Sequence, residues 1–431
     1  MENKNTLDNI VALCKRRGII YPNSEIYGGV GGFYDYGPVG VEMLNNLKRY
    51  WWKNMVDKRE NVVGIDGTII THPKVWEASG HIENFGDEVV ECKGCHQRFR
   101  PEDIEDKCPN CGKKDFTEPR SYNLLFITEV GVIEGSKVKA YLRGEACQNI
   151  YLDFKNVVDS TRQQIPFGIA QIGKTFRNEV TPGRFTFRSR EFEQWDLQFF
   201  VHPDDMEKYF EYWKEERMKF YKELYRKHEN LRFYQHPKDK LAFYAKDAYD
   251  IEYLAPWGWA ENEGIHWRGD YDLTQHMKFS GTDLTYTDPI TNEKYIPNIV
   301  ETSGGVTRTF LYLLVDAYEE EDLGEGNMRT VLKIHKDIAA YRAAIFPLVG
   351  NKEDIVKKAR EVFDLLADSH KVVWDGRGNI GKRYRYQDEI GTPYCITVDY
   401  ETLENDTVTV RDRDTMKQER VKIEDLNLYI S

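Results

Sequence analysis

Residues 175–200 read TFRNEVTPGRFTFRSREFEQWDLQFF. Apolar residues on either side of Thr181-Pro-Gly-Arg184 predict strand, turn and strand. Arg177, Arg188 and Arg190 cluster around that turn, and guanidinium groups hold phosphate oxygens bidentately without any change of protonation. Glu179 can accept a hydrogen bond from an exocyclic amine, and Phe192 can stack on a base. A lone Arg-x-Glu reads as a surface ion pair, but this density of charge around one Pro-Gly turn predicts a polyphosphate site.

Two other segments carry chemistry. Glu301-Thr-Ser-Gly-Gly-Val-Thr-Arg308 sets an acid, a hydroxyl and an arginine around a Gly pair at the start of an apolar helix, although Gly-Gly alone marks only a tight turn. Cys92-x-x-Cys95 and Cys108-x-x-Cys111 have the spacing of two knuckles that can place four thiolates tetrahedrally on one zinc; the alternative is two reduced pairs in a loop. With all four positions filled by sulfur no site is left for a catalytic water, so a structural or RNA-docking role is expected.

Outward from these segments, helices are expected over 6–18, 41–55, 149–163 and 204–228, with an irregular Gly-rich loop at 28–40. VVGIDGTIITHP alternates as a strand ending at Pro73, and short strands are expected over 241–300. From about 338 the pattern alternates strand and helix, which predicts a small α/β domain with a mixed sheet. The expected domains are 1–337, with an insertion at 88–118, and 338–431. The 431 residues carry 60 Lys and Arg against 72 Asp and Glu, a net charge of -12 that excludes a protein coating nucleic acid or an anionic membrane. There is no run of 18 apolar residues, the start lacks secretory features, and Cys14, Cys147 and Cys395 are scattered, so a cytoplasmic chain with reduced thiols is expected.

The 175–200 and 301–308 segments resemble motifs 2 and 3 of class II aminoacyl-tRNA synthetases. GGFYDYGPVG, HPKVWEASGHIENF, LRGEACQNIYLDF, RYQDEIGTPYCITVDY and TVTVRDRDTMKQ narrow the resemblance to the homodimeric glycyl-tRNA synthetase family over nearly the whole chain. That resemblance implies an α+β protein: an antiparallel-sheet catalytic domain with a zinc-ribbon-like insertion, and a C-terminal α/β anticodon-binding domain. It implies glycine activation by ATP and transfer of glycyl to tRNA(Gly), with Mg²⁺ and structural zinc and no membrane.

By the same resemblance, Arg177 holds the α-phosphate, Glu179 meets the adenine amine, and Phe192 and Arg308 cover the two faces of the ring. Arg188 or Arg190 assists at the γ-phosphate; Asn178, Phe187, Asn262 and Gly305 complete the ATP site. Glu261 and Glu301 hold Mg²⁺. Glycine is implied to meet Glu145, Asp196, Glu301 and Ser303, with Arg100, Phe192, Gln194 and Gly305 nearby. The family usually has Pro-Glu-Thr-Ala where this chain has Gly144-Glu-Ala-Cys147, and Glu where it has Asp196. Helix 41–55 resembles motif 1 of the dimer interface, though Trp51 and Trp52 suit plain core equally well. Arg377, Lys382, Arg383, Arg385, Arg411 and Arg413 give local positive charge for tRNA. Activation of glycine for another acceptor, a non-catalytic binding module and a zinc-ribbon nucleic-acid binder are the competing readings. The C-terminal domain, the full ATP set and the small size of the ribbon argue against them in turn.

Overall fold

A computed structural model describes residues 2–101, 104, 106–242 and 244–431, with side chains from Thr6 onward. Glu102, Asp103 and Glu105 of the expected insertion lie outside the described residues.

A seven-stranded sheet organises the first two thirds of the chain, in the order 231–235, 247–255, 258–269, 298–305, 191–201, 167–176 and 62–64. Neighbours are antiparallel except the last pair, 167–176 with 62–64. Alternation divides its middle strands between two environments. Trp195, Leu197 and Phe199 point to a core built with Met206–Leu224 and Val306–Ala317, whereas Gln194, Asp196 and Gln198 point the other way. The central strands are thus buried on both faces, one apolar and one polar.

Trp51 belongs to the apolar side: it is fully buried and stacked on Trp195 at 5.7 Å between ring centroids. Helix Pro38–Trp52 spends Met43, Leu44 and Leu47 on the same core. Of the two readings of Trp51, core is the one realised. Gly40 lets this helix approach the preceding chain, since a Cβ there would sit 1.8 Å from the Ile19 carbonyl oxygen.

Three expectations need correction. VVGIDGTIITHP is not one strand: Val62–Gly64 joins the large sheet, while Ile70–Thr71 pairs with the Val138–Leu142 strand of a separate hairpin. The alternation is real, but the two halves pair with different neighbours. Within 241–300 the strands are long, Asp247–Ala255 and Gly258–Gly269, and Tyr271–Ser280 is a helix. Glycines and charges along GWAENEGIHWRG hide its strand character, because its polar side chains are satisfied by partners distant in sequence. Leu231–Gln235 adds an edge strand just beyond the expected 204–228 helix, which spans Met206–Leu224.

The C-terminal unit follows expectation. Its five strands run 372–374, 343–347, 394–398, 407–412 and 418–422, parallel in the first two pairings and antiparallel in the last two. Buried ion pairs join it to the rest: Asp388 accepts from Arg411 and from Arg329, which lies on the Met328–Leu332 strand.

A β-bulge at Asn262 shifts the parity of the 258–269 strand, because Ile251 pairs with Glu263 and Glu252 with Glu261. Glu263 therefore faces the core. There it accepts from Trp195 Nε1 at 3.0 Å, Tyr221 OH at 2.6 Å and Arg217 Nη2 at 2.8 Å, with Arg217 and Glu263 both fully buried. Removing one partner leaves an uncompensated charge in the core, so Arg217→Ala is expected to cost about 3–5 kcal/mol. A fall in the urea midpoint at unchanged slope checks this.

Candidate active site

The polar face of the sheet floors a cavity of about 430 Å³. The bulge at Asn262 decides what reaches it from one side. Glu261 lines the cavity, together with His266, while Asn262 is fully buried against Tyr225 OH and Thr309 Oγ1. Asn262 was expected in the ATP set; the structure gives it a role in the core instead.

One end of the cavity is anionic. Glu301 accepts at Oε1 from Gln198 Nε2 (2.9 Å) and Arg268 Nη1 (2.9 Å), and at Oε2 from Arg268 Nη1 (3.1 Å) with His266 Nδ1 at 2.6 Å. Three nitrogens make these contacts, Arg268 Nη1 being shared between the two oxygens. Among the described residues Glu301 also forms, with Cys147 and Asp196, a group whose ligand atoms lie within 4.8 Å of one another, close enough to hold a metal ion. Burial works against its charge, but Arg268 and His266 outweigh burial and hold its carboxyl at about 2.

Asp196 pairs across the sheet with Ser303 and accepts from Ser303 Oγ at 2.9 Å and from Gln198 Nε2. It is 1% exposed and lies beneath the cavity surface that Ser303 forms. Burial, with Glu301 adding to it, pushes its carboxyl well above the usual aspartate range. Glu145 completes the set. Burial would raise it, but His81 at 3.1 Å and Arg268 hold its carboxyl well below the ordinary range.

The Gly144–Cys147 loop, where the residues depart from the resemblance, is pinned from four sides. Arg177 Nε donates to Gly144 O at 3.0 Å, Ala146 N donates to Gln194 Oε1 at 3.2 Å, Gln171 Nε2 donates to Ala146 O, and Gln148 Nε2 donates to Glu145 at 2.9 Å. These hydrogen bonds fix the loop without a proline in it.

The other end is cationic. Arg177, Arg188 and Arg308 line it, with Glu179, Phe187 and Phe192. The Arg177 guanidinium lies 5.0 Å from the Phe85 ring centroid and 5.5 Å from that of Phe192. Arg308, 4.7 Å from the Phe187 centroid, meets the Glu261 carboxylate at 3.0 Å. Gly305 lines the cavity at the N-terminus of helix Val306–Ala317, where free backbone N–H groups favour anions.

Three further expectations move. Arg100, expected near glycine, pairs with Asp87 and with Glu179 Oε2 at 3.0 Å, which puts it in the arginine-rich end. Arg190 donates from Nε to Glu179 O at 3.0 Å and from Nη1 to Gly31 O at 2.8 Å. It ties the Gly-rich loop to the turn and does not line the cavity. Asn178 likewise lies outside it, its backbone N bonded to Leu124 O at 2.8 Å. Sequence reasoning missed His81, Tyr244, His266 and Arg268. His266 and Arg268 share a face by alternation, but only once the strand and its bulge are known.

Elsewhere, the Sγ atoms of Cys92, Cys95, Cys108 and Cys111 all lie within 4.8 Å of one another, with Cys92–Cys111 and Cys95–Cys108 at 3.6 Å. A zinc–sulfur distance of about 2.3 Å sets tetrahedral edges of about 3.8 Å, so the four sulfurs fit such an ion.

Of the basic residues expected to meet tRNA, Arg383 donates to Pro347 O, Arg411 to Asp388 and Arg413 to Gly391 O, all buried, and Arg385 donates to Met328 O and Asn327. Arg411 and Arg413 are thus held in the interior, while Arg385 stays near the surface. Arg383 also lines, with Arg377 and Lys382, a groove beside Trp374, whose ring carries Arg360 at 3.6 Å.

The family model of the tRNA synthetase class II core domain (G, H, P, S and T) matches residues 131–318, and that of the Anticodon binding domain matches 342–431. A protein named glycine–tRNA ligase from Borrelia garinii subsp. bavariensis is 50% identical over 98% of this chain and 96% of its own. One of the same name from Borreliella burgdorferi is also 50% identical, with the same coverage. A third, from Clostridium kluyveri, is 48% identical over 100% of this chain and 99% of its own.

Proposed function

The chain belongs to the glycine–tRNA ligase family, and on that premise we propose which residues carry out its reaction. The protein is a class II aminoacyl-tRNA synthetase: it activates glycine with ATP and passes glycyl to the 3′ end of tRNA(Gly). The observation that carries the assignment is one cavity with Glu145 and Glu301 at one end, Asp196 just beneath Ser303 there, and Arg177, Arg188 and Arg308 at the other.

The ammonium group of glycine enters the anionic end, against Glu145 and Ser303, with Asp196 one hydrogen bond behind. Its carboxylate then faces the α-phosphorus, held in line by Arg177. Charge that builds on the phosphate oxygens is met by Arg177, and the departing pyrophosphate by Arg188 and Arg308. Phe192 and the Arg308 guanidinium cover the base, and Glu179 accepts from its exocyclic amine. No side chain acts as a nucleophile.

Glu261 and Glu301, both lining the cavity, would hold Mg²⁺ accompanying ATP, and the ion would supply neutralisation of phosphate charge. Rejecting every side chain is a steric task that a closed pocket performs well, so editing is not required. Cys92, Cys95, Cys108 and Cys111 would hold zinc, which would supply a structural crosslink to the insertion that places Arg100 at the cavity. Unpaired anticodon bases stack in the groove at Trp374, with Arg377 and Lys382 on the phosphates. The chain acts as a cytoplasmic homodimer. Exposed Ile70, Val132 and Ile133 offer apolar contact outside the buried face of helix Pro38–Trp52.

ATP–pyrophosphate exchange tests the assignment: exchange is expected with glycine and not with alanine or serine, and Arg177→Ala is expected to lose about a hundredfold or more in rate. Exchange with alanine or serine but not glycine sinks the specificity; no exchange at all sinks the activity. An ionised Asp196 behind Ser303 adds negative charge beneath the ammonium, and its carboxyl is raised, so kcat/KM for glycine is expected to climb as pH rises above the ordinary aspartate value. In Asp196→Asn that limb should vanish from the pH profile. Atomic absorption should return one zinc per chain, and Cys95→Ser should lower it.

A further inference from the structure

Behind the anionic end lies a second cavity of about 280 Å³, lined by Lys246, Arg268, Asp270, Tyr271 and Thr274 among others. Among the described residues Tyr244 alone lines both this cavity and the active site. It sits on the chain between the 231–235 and 247–255 strands, half-buried, with Arg268 3.8 Å from its ring centroid. The His266 ring stands edge-on to it at 6.3 Å. Arg268 is in turn fixed by Glu301 and by both oxygens of Asp272, at 2.8 and 2.9 Å. The ring therefore leans on a guanidinium that cannot swing away, and it closes the amino-acid end where the carboxylates gather.

Small size is all that distinguishes glycine from alanine, and no polar contact can recognise a missing methyl group. Discrimination must come from a wall that does not yield. The space to be denied already exists beyond Tyr244 and exceeds what a methyl or hydroxymethyl group occupies. Building on the glycine-activating reading above, we infer that the Tyr244 ring is the specificity-determining wall that separates the glycine pocket from the second cavity. Its hydroxyl is not needed for this; its bulk is.

The test is ATP–pyrophosphate exchange by the full chain with glycine, alanine and serine, in the parent and in Tyr244→Phe, Tyr244→Leu and Tyr244→Ala. One methylene of lost fit is worth about 10- to 200-fold in discrimination. Tyr244→Ala is expected to raise the alanine-to-glycine ratio of kcat/KM by about tenfold or more, Tyr244→Leu by less, and Tyr244→Phe not at all. A ratio unchanged in both Tyr244→Leu and Tyr244→Ala overturns the inference. So does loss of glycine exchange with no relative gain for alanine, since a side chain that merely supports the fold would lower both together. Failure of the underlying reading looks different, because the parent itself would then not exchange with glycine.

Discussion

Arg268 is the interaction on which the site depends. It stands on a strand buried on both faces and holds Glu301 and Asp272 at once, each within hydrogen-bond distance. Three carboxylates gathered out of water repel one another and lose hydration, which would push them to protonate. One fixed guanidinium, with His81 and His266 beside it, keeps Glu145 and Glu301 charged and leaves Asp196 as the member that takes up the strain. The site is thus poised for a cation before any substrate arrives.

That polar layer rests on an apolar one. The same strands that turn Asp196 and Glu301 to the cavity turn Trp195 and Val300 to the core, so the geometry of the carboxylates is set by packing on the opposite face. The bulge at Asn262 joins the two. It sends Glu263 down to Arg217 and Glu261 up to Arg308, giving two acids either side of Asn262 unrelated places: one holds helix Met206–Leu224 to the sheet, the other lines the cavity.

Arginine serves both ends of this protein, and sequence cannot say which arginines are structural. Arg177, Arg188 and Arg308 reach the cavity, whereas Arg190, two residues from Arg188, points to Gly31 and the Glu179 carbonyl. In the C-terminal unit Arg383, Arg411 and Arg413 donate to backbone oxygens and Asp388, and of the expected set Arg377, Lys382 and Arg383 line the groove. A positive charge in a sequence becomes a binding charge only if nothing nearer in space claims it.

Much was legible in the chain itself. The Pro-Gly turn amid arginines, the Gly pair before an apolar helix and the paired knuckles are local patterns. Their spacing alone fixes the residue types that meet. The alternation after residue 338 likewise forecast a mixed sheet, because strands and helices there are each patterned by one buried face. What only the tertiary structure decided are the contacts between residues far apart in sequence. Arg268 with Glu301, His81 with Glu145, Arg100 with Glu179 and the parity shift at Asn262 follow from sheet order and register, which no local period encodes. Tyr244 belongs with these: as a residue in a loop it carries no signal, and it becomes a wall only where two cavities meet on either side of its ring.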